Sequence, residues 1–219
     1  MEIDLLKNYP KSKRDTKGRS EIMTEEVRAI ARQYGKEFFD GDRLYGYGGF
    51  NYNARFWQPV IPDFVQHFGL TSESRFLDVG CAKGFTLFDL MEGVPGITVA
   101  GIDISEYAIE NAKEEVKPFL TVGDAKALPY EDNEFDAVIS INTVHNLERD
   151  ECAKALQEIM RVTKDSGKAF ITVDAYRNDE EKERMMQWAL TAKTIMHVDD
   201  WKQFFKDVGY TGDYYWFIP

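Results

Sequence analysis

Cysteine is scarce: the chain has 2 in 219 residues. Cys81 and Cys152 lie far apart and outside any Cys-x-x-Cys or Cys/His pattern, so neither a disulfide framework nor a zinc site is indicated. Both read as free thiols. Long apolar runs are missing as well. No stretch approaches the roughly 18 apolar residues that suggest a membrane span, and the N-terminus carries no apolar signal-peptide core. A cytoplasmic protein without membrane contact is the expectation. Positive charge is in deficit: 27 Lys and Arg stand against 38 Asp and Glu, a formal net charge of -11. This argues against nucleic-acid partners, because that affinity rests on Lys and Arg neutralising phosphates. Internal repeats, low-complexity tracts and a second domain boundary are absent too.

What remains suits one core. At 43% hydrophobic, the chain reads as a single domain over 1–219 with three parts: a basic arm (1–22), a helical and aromatic-loop cap (23–72) and an α/β core (73–219). The arm holds Lys11, Lys13, Arg14, Lys17 and Arg19 with almost no apolar anchor. It reads as solvated and mobile, with a flap over an anionic ligand as the sharper alternative. In the cap, Thr24 precedes Glu25 and Glu26, and Met23, Val27, Ile30, Tyr34 and Phe38 keep helical spacing, which predicts one amphipathic helix. The following stretch, 40–57, sets aromatics between glycines, which suits a loop laying flat rings on a small ligand or an irregular loop anchored by its own rings. Tyr45, Tyr47 and Arg55 are its substrate-side candidates. A helix over 57–70, entered near Pro59 or Pro62, carries His67, which nothing singles out.

From residue 75 strands and helices alternate. Strands are expected at 75–79, 97–102, 119–122, 135–141 and 168–173, with helices at 85–91, 105–116 and 151–162 between them. That spacing predicts an α/β fold with a doubly wound, mostly parallel sheet, whose ligands bind at the carboxyl ends of the strands. A helix at 179–190, a second starting at Asp199 or Asp200 and stopping at Gly209, and a strand within 210–219 complete the chain.

The chemistry gathers at those carboxyl ends. Asp78 precedes a strand-to-helix turn containing Gly80, Ala82 and Gly84, where absent or small side chains let the backbone approach a ligand. Asp103 ends the second strand, where a carboxylate accepts hydrogen bonds from both ribose hydroxyls or caps the next helix. Gly123-Asp124-Ala125 forms a tight turn past the third strand, positioned for the exocyclic amine of an adenine. Polar residues Asn142 and His145 leave the fourth strand.

At these residues the chain resembles the class I S-adenosylmethionine (SAM)-dependent methyltransferases, in particular the small-molecule group called type 11. Leu77-Asp78-Val79-Gly80-Cys81-Ala82-Lys83-Gly84 is similar to the family's first motif, Gly101-Ile102-Asp103-Ile104-Ser105 to its ribose-binding acid, Gly123-Asp124-Ala125 with Leu128-Pro129 to its adenine turn, and the run from Phe135 to His145 to its fourth motif. The resemblance is close over 76–173 and thin elsewhere. It implies a Rossmann-like fold and SAM as cofactor, with S-adenosylhomocysteine (SAH) as product. Cofactor contacts would come from Asp78, Gly80, Ala82, Gly84, Asp103, Ile104, Asp124, Ala125 and Asn142.

His145, with an ordinary pKa of ~6.5, is the candidate base, or else a packed histidine at a loop-to-helix junction. Asp174 and Tyr176, past the fifth strand, are further substrate contacts. No spacing of oxygen ligands for a metal is visible. Two departures stand out: Ala82 replaces the usual Gly, and after Gly209 there is room for about one strand where the family places an antiparallel hairpin. The expected activity is methylation of an oxygen, less readily a nitrogen, of a small metabolite of acidic or sugar-like character; a homodimer is allowed. A nicotinamide-dependent oxidoreductase and a SAM-pocket protein without turnover are the alternatives.

Overall fold

The apolar runs separated by helix-spaced stretches assemble as one sheet in the computed structural model, which describes residues 1–11 and 14–219. Its strands are β1 (Arg75–Val79), β2 (Thr98–Asp103), β3 (Leu120–Val122), β4 (Phe135–Ile141), β5 (Thr163–Tyr176), β6 (Met196–His197) and β7 (Asp213–Phe217). They lie in the order β3-β2-β1-β4-β5-β6, with β7 also on β5, and these pairings are all parallel. The chain moves outward from β1 to β3 and returns to β4. The switch point therefore falls between β1 and β4, where parallel sheets of this kind bind ligands.

The helices are α1 (Thr16–Ile22), α2 (Glu25–Ala31), α3 (Lys36–Asp40), α4 (Ala54–Trp57), α5 (Ile61–Phe68), α6 (Phe85–Gly93), α7 (Glu106–Glu110), α8 (Arg149–Val162), α9 (Asp179–Trp188) and α10 (Val198–Val208). Strand periodicity of two sends alternate side chains to opposite layers. Leu77, Val79 and Val138 meet Leu156 and Ile159 of α8 and Trp201 and Phe205 of α10. Phe76, Ala137 and Ile139 meet Phe64 of α5 and Leu87 and Leu90 of α6. Local chemistry sets the ends. Glu148 and Glu151 form a reciprocal capping box at the start of α8, and Gly209, left-handed at φ 76, stops α10 as expected.

Several elements depart from expectation. Thr24 caps α2, accepting from the Val27 N–H at 3.3 Å, but the single helix over 23–38 is two helices separated at a left-handed Tyr34 (φ 49). The expected 57–70 helix is shorter, α5 over Ile61–Phe68 with Pro62 in its first turn, and Trp57 ends a separate turn of helix, α4. Beyond α7 the expected helix stops early, because the Lys113 N–H donates to the Lys83 carbonyl at 3.2 Å and ties this segment to the loop after β1. The sheet edge is completed without a hairpin: β7 pairs residues 170–174 of β5, and β6 takes Ala175 and Tyr176.

Where a mobile basic arm is expected, the chain is packed. Leu5 is in the core, Glu2 bridges to Tyr214, and α1 lies against α9. Arg14 lies over the rings of Phe217 (4.7 Å) and Trp188 (5.4 Å), while Arg19 lies over Tyr47 (5.1 Å) and Trp188 (4.9 Å). Guanidinium planes stacked on aromatic faces replace the apolar anchor this segment lacks. Lys13 lies outside the described residues.

Trp201 is fully buried, and its Nε1 donates to the Asp174 carbonyl at 3.0 Å, at the carboxyl end of β5. Trp201→Ala is expected to cost about 3–5 kcal/mol, the range for deleting a buried aromatic. Urea unfolding measures it; a loss below 1 kcal/mol would show that the site collapses around the void.

Candidate active site at the switch point

The loop after β1 is held by backbone hydrogen bonds to β2. Gly80 and Cys81 N–H groups donate to the Ile102 carbonyl at 2.7 and 3.1 Å, and the Ala82 N–H donates to Asp103 Oδ2 at 2.8 Å. The backbone is left-handed at Gly80 (φ 87), Ala82 (φ 49) and Gly84 (φ 74). At Gly80 a Cβ would collide with the Thr143 side chain, so glycine is required there. Ala82 occupies a conformation that costs an L-residue roughly 1–2 kcal/mol, and its bond to the Asp103 carboxylate opposes that cost. An alanine is thus accommodated at this turn.

Asp78 and Asp103 lie at the carboxyl ends of adjacent strands, and the charge of Asp103 bears on Asp78. Asp78 is 4% exposed and, among the described residues, its carboxyl has no hydrogen-bond partner; burial first, and the charge of Asp103 second, push it up to about 8. Burial also raises Asp103, opposed by the Ser105 and Ala82 N–H donors. Asp124 follows β3 and accepts from the Lys126 N–H at 2.9 Å. Lys126 Nζ stands 3.5 Å from Asp124 and 2.6 Å from Glu151. Beside this turn the side chains of Ile104 (55%) and Val122 (42%) are exposed, and Ala125 packs on the core beneath. Asn142, left-handed at φ 52, is engaged with β5: its N–H donates to Thr172 Oγ1 and its Oδ1 accepts from the same hydroxyl, both at 2.9 Å.

At the ends of β4 and β5, His145 and Asp174 form a buried pair. His145 Nδ1 accepts from the Asp174 N–H at 3.1 Å, which assigns the ring proton to Nε2, 3.5 Å from Asp174 Oδ1. Burial lowers His145 to about 3 and raises Asp174 to about 7, where Arg14 acts in the opposite direction. In this tautomer neither ring nitrogen has a lone pair free. The arrangement differs from the expectation of a histidine base, because β5 supplies a backbone donor that sequence spacing does not reveal.

The substrate-side candidates divide. The Tyr47 hydroxyl accepts from Leu190 (2.7 Å) and Thr191 (3.3 Å) N–H groups and feels the charge of Asp174. Tyr45 packs with Val27, Ala31 and Leu190 under the cap. Arg55 is exposed and stacks on its neighbour Phe56, and Tyr176 packs against His197 and Lys182, so neither joins this cluster.

One group of residues escaped the sequence reading. Lys83, within the glycine loop, pairs with Asp40 at 2.6 and 2.8 Å, and Tyr107 donates to the same carboxylate at 2.7 Å. Ser105 Oγ donates to the Tyr34 carbonyl at 2.5 Å. Together they fasten the cap over the strand ends. A lysine inside a glycine loop is a visible signal, but its partner, 43 residues upstream, is not. A cleft of about 520 Å³ opens beside this clamp, lined by Lys83, Asp40, Arg43, Phe38, Phe50 and Asn111 among others; Asp78, Asp103 and Asp124 do not line it.

These buried groups set a pH dependence. Asp78 (about 8) and Asp174 (about 7) lie above the ordinary 3.8, so the folded chain binds more protons than the unfolded one, and stability present at low pH is lost as pH rises through those values. His145, moved from 6.5 to about 3, acts oppositely: its contribution is gained as pH rises through that window and is complete above it. The trends compete below pH 6.5, and above it the carboxyls act alone. The melting temperature of the unliganded protein is expected to fall between pH 6.5 and 8, and Asp78→Asn to flatten the fall. A level wild-type profile would contradict the buried, unpartnered state of Asp78.

Residues 77–171, spanning β1 to β5, match the model of a family described as a methyltransferase domain. The chain is 34% identical over 145 residues to a tRNA (carboxymethyluridine(34)-5-O)-methyltransferase of Arabidopsis thaliana, covering 65% of this chain and 33% of that protein. It is 33% identical over 153 residues to a demethylmenaquinone methyltransferase of Symbiobacterium thermophilum, covering 65% and 59%. Among solved structures, the MccD protein superposes with a TM-score of 0.54 at 26% identity over 67% of this chain and 68% of that one. The chain spans less than two thirds of the length of either curated relative. The sheet order, the loop geometry and these relatives agree over this stretch: residues 77–171 carry a methyltransferase domain on a Rossmann-like fold.

Proposed function

We propose that the protein moves the methyl group of SAM to an oxygen, less readily a nitrogen, of a small molecule held beneath the N-terminal cap. The observation that carries this is Asp78: a buried carboxyl without a hydrogen-bond partner among the described residues, beside a left-handed loop at the switch point. Such a group is costly alone and is stabilised by a cation. SAM fits, since it is cationic at both its sulfonium and its ammonium, and when bound it supplies an electrophilic methyl group. Asp78 and the backbone at Gly80 and Ala82 would face its amino-acid end, Asp103 its ribose, and Asp124, Ala125 and Ile104 its adenine.

On the acceptor side the work is placement and removal of one proton. In our reading Asp174 takes that proton, and His145, whose Nε2–H faces the carboxylate, holds it in place. The relatives' names specify unlike acceptors, a carboxymethyluridine and a demethylmenaquinone. The first of these favours oxygen as the methylated atom.

Calorimetric titration with SAH, with NADH as control, tests the donor site. Saturable binding of SAH alone is expected, weakened about ten- to a hundred-fold in Asp124→Ala if that carboxylate receives the adenine amine. Binding of NADH instead would favour an oxidoreductase. With an acceptor found by screening, Asp174→Asn is expected to lower kcat by about 10²- to 10⁴-fold at unchanged SAH affinity, with a smaller loss in His145→Gln. Equal losses would remove the base role from Asp174.

A further inference from the structure

Three arginines converge under the cap without an acidic partner. Arg14 and Arg19 are half-buried and both stack on Trp188, Arg14 also on Phe217 and Arg19 also on Tyr47. The Arg43 guanidinium lies against Gly48 in the same loop, where an added Cβ would strike it. None of the three forms an ion pair among the described residues. Arg19 donates one Nη2 bond to the Gly46 carbonyl, and its Nε is buried with no partner.

The group is also repulsive. Burial first, then the charge of Arg43, holds both Arg14 and Arg19 below their ordinary values, and Arg28 adds to the effect at Arg19. The nearby acids are otherwise engaged: Asp40 with Lys83 and Tyr107, and Asp42 with the Leu44 N–H. Asp174 attracts Arg14 but makes no ion pair with it. Guanidinium groups brought together and partly desolvated without a counter-charge are stabilised by an oxyanion, which accepts several of their N–H bonds at once. Arg43 lines the 520 Å³ cleft, as does Gly46, whose carbonyl Arg19 holds, so the group adjoins the cleft on that side. Tyr47 and Asp174 border it, which puts it on the acceptor side of the site.

We infer that Arg14, Arg19 and Arg43 bind an anionic group of the methyl acceptor, a carboxylate or a phosphate, so that the substrate is a small organic acid or phosphate ester. This rests on the methyltransferase reading, and its test separates the two.

Protein saturated with SAH is titrated with inorganic phosphate and, separately, with benzoate, against chloride at matched ionic strength, following the melting temperature. A saturable rise is expected with at least one oxyanion, and at least a ten-fold weaker response in Arg43→Ala, an exposed position, and in Arg14→Gln. The stronger of the two probes names the oxyanion. No saturable rise, or a rise unaltered in both variants, overturns the inference. SAH affinity is measured in parallel with that of 5′-methylthioadenosine, which lacks the amino-acid carboxylate. A ten-fold loss for SAH alone in the variants would assign the arginines to the donor and also overturns it. Failure of wild-type protein to bind SAH at all is a different result and removes the methyltransferase reading instead.

Discussion

The carboxylate of Asp103 is the constraint on which the rest of the site depends. One oxygen accepts the Ala82 N–H, holding a left-handed alanine in the turn after β1; the other accepts the Ser105 N–H at the start of α7. Ser105 in turn caps α7 through the Ala108 N–H and donates to the Tyr34 carbonyl in the cap. A single half-buried acid therefore couples the glycine loop, the second crossover helix and the cap. Its oxygens retain acceptor capacity, which leaves room for the ribose contact proposed for it.

That coupling explains which features were legible in the sequence. The apolar run before Gly80 and the acid 23 residues after it belong to local strand–turn–helix patterns, and β4 falls on the expected 135–141. Caps announce themselves the same way: Thr24 before two glutamates, Gly209 after an apolar stripe. The misses share another character. The cap helix breaks at Tyr34 because its carbonyl is taken by Ser105, 71 residues away. The basic arm folds because Trp188, Tyr47 and Phe217 offer ring faces, and a run of arginines does not disclose rings so distant in sequence. The tautomer of His145 is set by the backbone of Asp174, 29 residues away, a contact that spacing does not disclose.

Charge is partitioned across the molecule in a way that the net value of -11 conceals. Acids stand at the carboxyl ends of β1 and β2, where the charge of Asp103 adds to the cost of ionising Asp78. Arginines sit on the cap, where Arg14 and Arg19 are held below their ordinary values by burial and by Arg43. The Lys83–Asp40 bridge and the Tyr47 hydroxyl, bonded to the backbone at Leu190 and Thr191, fasten the cap to the core.

Asp174 stands at the boundary between these regions and shows how the balance sets chemistry. Burial alone would hold its proton firmly; the positive charge of Arg14 pulls the other way, and the outcome is about 7. A carboxyl poised there both accepts and releases a proton near neutrality, which a fully solvated or a firmly paired carboxylate does not. Its position is fixed on two further sides, by Trp201 at its carbonyl and by His145 at its N–H. An anion bound by Arg14 would weaken the pull on Asp174 and raise its affinity for a proton. On the proposed reading, acceptor binding and base strength would be linked through one guanidinium, the carboxyl becoming the better base when an anionic acceptor is in place.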